Sequence, residues 1–215
     1  MGNPIPNIEF KKPSKNPTID SETSLYMIPF YKDAEYFSNL DNFVSFVKAV
    51  ESMVRSSKFY KRYIKYLKDD MGLNFCQVLS NVRQEEDDNI LDIEMHHGPI
   101  LTLFDYVSIV VDHLLYHNKK INTFIVADIV LDEHFKNNVQ VVMLSKTVHE
   151  EVHEGNVFLN MKHAFGDLNT FLSKYRDGLS AEQITKINNY INLCEQYDSF
   201  DKQTLSLKDS IKKWS

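Results

Sequence analysis

The chain has 215 residues, of which 30 are acidic and 24 basic, giving a formal net charge of −6. Hydrophobic residues make up 43% and charged residues 25%, a mixture that excludes a wholly disordered chain. No apolar run approaches the roughly 18 residues of a membrane-spanning helix, and two cysteines are too few for a disulfide framework. We therefore expect one domain with appendages, located in the cytoplasm and without a membrane partner.

The N-terminal part of the chain divides into an arm and a helical region. Residues 1–24 hold four of the six prolines, which fix φ and withhold backbone hydrogen bonds, so a flexible arm is predicted there. Residues 25–88 form the helical N-terminal region, because apolar side chains recur at intervals of three and four between Asp33 and Lys68. A further short helix is predicted over 74–82.

The middle of the chain, residues 89–166, is predicted to hold two short strands with two helices inserted between them. A third helix follows the second strand, with Ser145 as its N-cap and Gly155 just beyond its end. The predicted strands cover 89–96 and 139–144, and the predicted helices cover 101–117, 121–136 and the segment from Ser145 through His153.

The C-terminal part is predicted to contain two helices and a tail. The helices cover 168–175 and 181–197 within the region 167–198, and Ser180 caps the second helix. The remaining residues, 199–215, are polar and lysine-rich and are predicted to be a tail. The expected fold class is therefore mostly α, formally α+β, with two short antiparallel strands.

Four of the eight histidines occur as two pairs at the predicted strand and helix. Glu94-x-His96-His97-Gly-Pro ends the first strand, and His149-x-x-x-His153-x-Gly lies on the helix after the second. Residues four apart share a helix face, so His149 and His153 can reach one ion. Neighbouring strand residues point to opposite faces, but at a strand end before Gly-Pro one histidine can face the ion and the other the substrate. The pattern predicts three imidazoles on a metal and a fourth beside it.

This pattern resembles the HNH nucleases of the ββα-metal type, in the double-histidine form found in nuclease colicins. The resemblance covers about residues 89–156 and implies an embedded ββα-metal motif with a metal-binding helix. It implies that His97 is the general base, that His96, His149 and His153 are ligands, and that Glu94 supports the site. The implied function is hydrolysis of DNA phosphodiesters with one divalent ion, which could be Zn, Ni, Mn or Mg.

Three other interpretations of the histidines remain open. The segment 149–153 also reads His-Glu-x-x-His, the signature of zinc metalloproteases, in which Glu150 would be the base. The third metzincin histidine would fall at Leu159, and the downstream carboxylates that could replace it are Asp167 and Glu182. The second interpretation is a non-catalytic module that binds nucleic acid or protein and keeps the metal for stability. The third is a solvated helix face that binds no metal.

A basic stripe is predicted on the helix that follows Ser57. Its five cations recur at intervals of three and four and are candidates for binding nucleic acid, most of all DNA: Lys58, Lys61, Arg62, Lys65 and Lys68. The interleaved Tyr60, Tyr63 and Tyr66 could stack on bases, or could pack inward as an ordinary helix back. The N-terminal arm and the C-terminal tail are candidate surfaces for a protein partner, and the sequence does not indicate an oligomeric state.

The remaining histidines and cysteines are assigned ordinary roles. His113 and His117 are four apart but have no second pair nearby in sequence, so they are predicted to be surface residues, as are His134 and His163. Cys76 and Cys194 lie in apolar patterns and are predicted to be buried. The abundance of Asn, Lys, Tyr and Phe beside only six glycines indicates an AT-rich genome and favours a viral, phage-encoded origin, which would make the location the host cytoplasm.

Overall fold

The structure is a computed structural model that describes residues 31–80, 82, 92–197 and 201–214. The chain divides into two units, Met1–Tyr31 and Lys32–Ser215, and every helix and strand given below belongs to the second unit. The predicted arm over 1–24 lies outside the described residues.

The described residues form nine α-helices and two β-strands, which confirms the predicted mostly-α class. No described helix is both long enough and apolar enough to cross a membrane. In chain order the elements are α1 (Ala34–Ser38), α2 (Leu40–Ser56), α3 (Lys58–Asp69), β1 (Ile93–His97), α4 (Leu103–Tyr116), α5 (Thr123–Phe135), β2 (Val141–Ser145), α6 (Lys146–His153), α7 (Leu168–Tyr175), α8 (Ala181–Gln196) and α9 (Lys202–Trp214).

The two strands form an antiparallel pair although two helices separate them in sequence. The register places Ile93 opposite Ser145 and His97 opposite Val141. Every side chain of β2 is buried, as expected for a short, continuously apolar strand covered on both faces. Because β2 runs directly into α6, the strand pair and this helix together form a ββα unit with α4 and α5 inserted between the strands.

Side-chain caps explain where several helices begin. The hydroxyl of Thr102 accepts a hydrogen bond from the Asp105 amide at α4, and the hydroxyl of Ser180 accepts one from the Gln183 amide at α8. Ser145 is the N-cap residue of α6, as predicted, but its side chain makes no capping hydrogen bond.

The core lies where α2, α4 and α5 pack together and continues to β2 and α7. Its fully buried side chains include Val47, Val50, Tyr106, Met143 and Phe171. The main chain just before β2 is further held by Tyr106, whose hydroxyl accepts a hydrogen bond from the Gln140 amide at 2.9 Å. The core therefore packs against β2 and supports the ββα unit. Cys76 and Cys194 are buried and free, as predicted.

The helix predicted over 74–82 is wrong for the described residues of that segment. Residues 74–80 form bends and turns with an isolated bridge at Phe75. The amide of Gln77 donates to the Met143 carbonyl at 2.8 Å, and the Gln77 side-chain oxygen accepts from the Met143 amide at 2.6 Å. The segment therefore bonds to β2 and closes a local turn, with the Cys76 amide donating to the Val82 carbonyl at 2.8 Å, so tertiary contacts override local helix propensity.

The description of residues 199–215 as a polar tail also needs correction. The segment forms α9, and both Thr204 and Leu207 are fully buried. Ile211, four residues after Leu207, packs partly buried against the core on the same helix face. These side chains therefore dock a helix whose other residues are mostly polar.

Candidate metal centre

Three of the four histidines singled out in the sequence meet in the structure. His96 lies near the end of β1, and His149 and His153 lie one turn apart on α6. The ring centroid of His96 is 5.0 Å from that of His149 and 5.1 Å from that of His153. One ring nitrogen from each residue lies within 4.8 Å of the other two. We call these three residues the histidine triad.

The strand pair and its turn into α6 position the triad. His96 pairs with Val142, three residues before the end of β2, and α6 follows β2 directly, so the later turns of α6, which carry His149 and His153, are the part that meets His96. Two residues after His96 comes Gly98, where a Cβ would lie 3.0 Å from His96 Cδ2 and 3.1 Å from His96 Nε2. The absence of a side chain at this position leaves room for the imidazole ring.

Glu94 holds one member of the triad in place. It lies two residues before His96 and therefore on the same face of β1. Its Oε2 lies 2.5 Å from Nδ1 of His149. A proton on that nitrogen donated to the carboxylate leaves Nε2 of His149 with a free lone pair. That Nε2 lies 3.0 Å from Nε2 of His153, so the two nitrogens converge. A carboxylate behind an imidazole is a usual partner of metal-binding histidines.

The electrostatics at His96 favour a neutral imidazole. Burial, together with the nearby His149 and His153, lowers the pKa of His96 to about 4. A neutral ring is the form that binds a metal ion. Two Zn–N bonds of about 2.0–2.1 Å at a tetrahedral angle would place the nitrogens about 3.3 Å apart, close to the observed separation on α6. Three imidazoles fit zinc or nickel better than magnesium, which prefers oxygen.

The triad has the composition of an open site. Within the part of the chain that the structure describes, the clustered ligands are these three histidines, and no cysteine, aspartate or glutamate completes a fourth position. The nearest acidic candidate, Glu94, is already engaged with His149. Structural zinc sites are usually closed by four protein ligands, whereas catalytic sites keep one position for water or substrate.

A cleft with a volume of about 430 Å³ opens beside His96. Its lining is largely apolar and aromatic, with Phe158 and Tyr190 stacked at 5.5 Å between ring centroids. The polar residues of the lining include Lys186 and Asn189, and the ammonium of Lys186 is paired with Asp105 at 2.7 Å. The cleft is a candidate place for a ligand next to the triad.

The structure does not bring His97 into this group. Successive side chains of a strand point to opposite faces, and β1 extends through His97, so the buried side chain of His97 faces the core on the side opposite His96. The ring is buried and stacked on Tyr60, and its Nε2 lies 3.0 Å from Nε2 of His134. Burial, with His134 beside it, holds the pKa of His97 well below its usual range. The expectation that His96 and His97 both face the site is therefore wrong, because only His96 lies on the face of β1 that meets α6.

His134, predicted at the surface, is fully buried. Its Nδ1 lies 2.7 Å from the Val130 carbonyl oxygen and donates to it, and burial lowers its pKa to about 4. The sequence held a signal for this position, since His134 falls on the buried stripe of α5 with Val126, Ala127, Val130 and Glu133. His163 is half-buried, and burial lowers its pKa.

The surface assignment of His113 and His117 is only partly right. His117 is exposed and His113 is half-buried, but both meet Asp177 from the turn after α7. This third residue is 60 positions away from His117, and no local pattern in the sequence indicates the encounter.

The basic stripe lies on α3 with its cations outward. Lys58, Lys61, Arg62 and Lys65 are exposed, and Lys68 is half-buried. Lys65 pairs with Asp69 at 3.4 Å. Tyr60 and Tyr63 are buried, and Tyr66 is half-buried, so these tyrosines pack inward. Tyr60 and Tyr63 are therefore not available to stack on bases.

The ligand set of a metalloprotease does not form among the described residues. The third imidazole comes from β1, upstream of the His-Glu-x-x-His segment, and Leu159 is buried. Asp167 caps α7 through the Thr170 amide, and Glu182 pairs with Lys186 at 3.4 Å. Both downstream carboxylates are therefore engaged elsewhere.

Comparison with known proteins gives one family. A family model described as bacteriophage G278-like virion protein matches residues 7–213. No curated protein and no solved structure matches the chain.

Proposed function

Since the chain belongs to the bacteriophage G278-like virion protein family, we propose that it is a phage protein with metal-dependent phosphodiesterase activity on DNA. The cation would be held by His96, His149 and His153. The observation that carries the proposal is the open group of three imidazoles with a carboxylate behind one of them. A divalent transition-metal ion supplies Lewis acidity at such a site, polarising a phosphoryl oxygen and acidifying water.

The residues around the triad have assigned tasks in this proposal. Glu94 fixes the ring of His149 so that its Nε2 would be available to bind the ion, and Gly98 leaves space for His96. His97, buried against His134, is given a packing role and not the role of general base that the HNH resemblance implies. This is the main difference between the proposed chemistry and that resemblance.

DNA as the substrate rests on two supports. The first is the resemblance of residues 89–156 to double-histidine HNH nucleases. The second is the exposed basic face of α3, which could contact backbone phosphates. The family agrees with the phage origin expected from composition. Action in the host cytoplasm, and a protein partner at the arm or the C-terminal segment, stay predictions.

A second candidate function is a virion module that binds the same ion only for stability. The observation that favours it is the burial of His97, which removes the expected base from the site. Both candidates need the triad to bind metal, but only the first needs cleavage.

The test is cleavage of plasmid and of short single- and double-stranded DNA by the full chain with Zn, Ni, Mn or Mg. We expect cleavage by the wild type and by a folded His97→Asn variant, and loss of cleavage in His149→Ala. His163→Ala is the matched control, because it removes a half-buried histidine outside the triad.

The outcomes separate the candidates. The unfolding temperature is compared in chains that carry His117→Gln, so that the group of His113, His117 and Asp177 cannot contribute. If metal raises it in this parent but not after the addition of His149→Ala, and no DNA is cut, the stabilising module is favoured and the phosphodiesterase is rejected. Loss of cleavage in folded His97→Asn would restore His97 as the base. If neither stability nor cleavage responds to metal, both candidates fail.

DNA binding by α3 has its own test. The triple variant Lys61→Glu, Arg62→Glu, Lys65→Glu should bind DNA more weakly. The slope of log affinity against log salt should become shallower by about 2–3, since each phosphate contact contributes about 0.9. Lys119→Glu is the control, an exposed lysine outside the stripe. Equal salt slopes for the triple variant and the wild type would reject this surface.

A further inference from the structure

A second group of ligand side chains lies at the C-terminal end of α4. His113 is in the last turn of α4 and His117 is its C-cap residue, so the two rings share one face of the helix. Asp177 comes from the 3₁₀ turn Arg176–Gly178 that follows α7. None of these residues belongs to the histidine triad.

The three side chains are close enough to share an ion. The ring centroids of His113 and His117 are 4.4 Å apart. Nε2 of His117 lies 3.3 Å from Oδ2 of Asp177, and one ligand atom from each residue lies within 4.8 Å of the other two. We propose that His113, His117 and Asp177 form a second binding site for a divalent transition-metal ion of the zinc class.

Close backbone packing brings the aspartate to the helix. A Cβ on Gly178 would overlap the carbonyl oxygen of Ile109 and would lie 2.6 Å from the backbone nitrogen of His113. Only glycine allows this approach, and it places the neighbouring Asp177 at the end of α4. The ring of Tyr175 packs edge-on against His113 at 5.1 Å between centroids and restricts its orientation.

The environment of the group suits a cation with nitrogen ligands. Nδ1 of His113 is buried and has no hydrogen-bond partner among the described residues. Buried polar atoms are nearly always satisfied, and a bound ion is one explanation for an exception. The end of a helix carries partial negative charge from its free carbonyl groups, which favours a cation. Two imidazoles and one carboxylate select zinc, nickel, cobalt or iron over magnesium and calcium.

Accessibility and competition set the expected strength of the site. The side chains of His117 and Asp177 are 40% and 30% exposed, so an ion can enter directly from solvent. Arg176 competes for the aspartate, because its Nε lies 3.6 Å from Oδ1 of Asp177. Removing this guanidinium should therefore strengthen binding.

The experiment uses the full chain with the triad removed, as His149→Ala, His153→Ala. We expect this variant to retain one zinc per chain, measured by calorimetric titration and by metal content after dialysis. Adding His117→Gln should weaken that binding by more than about tenfold, since even outer-shell changes cost about 10–100-fold. Adding Arg176→Gln should tighten it. Adding His163→Gln is the matched control, and circular dichroism checks that each variant is folded.

The result that overturns the proposal is a folded triad-free variant that binds no zinc, which would leave His117 and Asp177 as a hydrogen-bonded pair only. Zinc binding that survives His117→Gln unchanged would also overturn it, because the ion would then lie elsewhere. Loss of zinc on His117→Gln with retention on His163→Gln supports it, whether or not the triad binds metal.

Discussion

Replacing Glu94 with glutamine tests whether the carboxylate behind His149 organises the histidine triad. The substitution removes one negative charge but keeps an oxygen that can accept the hydrogen bond from Nδ1 of His149, now 2.5 Å from Oε2 of Glu94. Glutamine therefore isolates the charge, whereas Glu94→Ala removes both the charge and the hydrogen bond.

The size of the effect follows from the exposure of the pair. Loss of an outer-shell partner typically weakens metal binding about 10–100-fold, or about 1.4–2.7 kcal/mol. The Glu94 side chain is 42% exposed, so solvent screens its charge. We therefore expect about a tenfold weaker zinc affinity for Glu94→Gln and about a hundredfold weaker affinity for Glu94→Ala.

The assay is calorimetric zinc titration in a His117→Gln background, so that the second group cannot contribute. Glu150→Gln is the matched control: this exposed glutamate follows His149 on the same helix, and its replacement changes the net charge equally. We expect the control to bind zinc within about twofold of the parent because salt screens an exposed charge. Equal affinities for Glu94→Gln, Glu94→Ala and Glu150→Gln would refute the assigned role of Glu94.

Three further predictions concern the space beside the His96 ring, the stability of the folded chain in acid and the docking of α9. Gly98→Ala should weaken zinc binding without unfolding the chain, because the new Cβ lies 3.0 Å from His96 Cδ2; unchanged affinity in the same titration would contradict this. Burial raises the pKa of Glu133, but hydrogen bonds from its three donors outweigh burial and leave the pKa below its ordinary value. The ionised Glu133 therefore stabilises the folded chain above the pKa that it has in the unfolded chain, and this stabilisation is lost as pH falls through its pKa in the folded chain. The urea midpoint should fall more steeply between about pH 5 and about pH 3 in the wild type than in Glu133→Gln. Leu207→Ala should cost about 2–5 kcal/mol of unfolding free energy, because Leu207 is fully buried on α9. Leu205→Ala, at a half-exposed position, should stay within about 0.5 kcal/mol, and equal costs for the two leucines would show that α9 does not dock as described.

Helix positions were largely predictable because they depend on neighbours in sequence. The predicted 101–117 and 121–136 correspond to α4 and α5, and the predicted 168–175 corresponds to α7. Apolar recurrence and capping residues act within one or two turns, so they are visible without the fold. The same reasoning failed at 74–80, where hydrogen bonds to Met143 replace the helix, and at α9, where docking of Leu207 stabilises a polar helix.

The group of three histidines was partly predictable for the same reason. A spacing of four residues places His149 and His153 on one helix face whatever the rest of the chain does. The choice between His96 and His97 could not be made locally, because it depends on which face of β1 turns toward α6. In the structure, successive side chains of β1 point to opposite faces, so His96 faces α6 and His97 contacts the buried His134 on α5.

The amino-acid sequence by itself determined the mostly-α class, the two strands and the shared face of His149 and His153, since each follows from contacts only a few residues apart. Tertiary structure alone decided that His96 faces His149 and His153, that His97 is buried and that Asp177 meets His117. These outcomes depend on strand register and on the approach of distant backbones, such as Gly178 against α4, which no local pattern encodes.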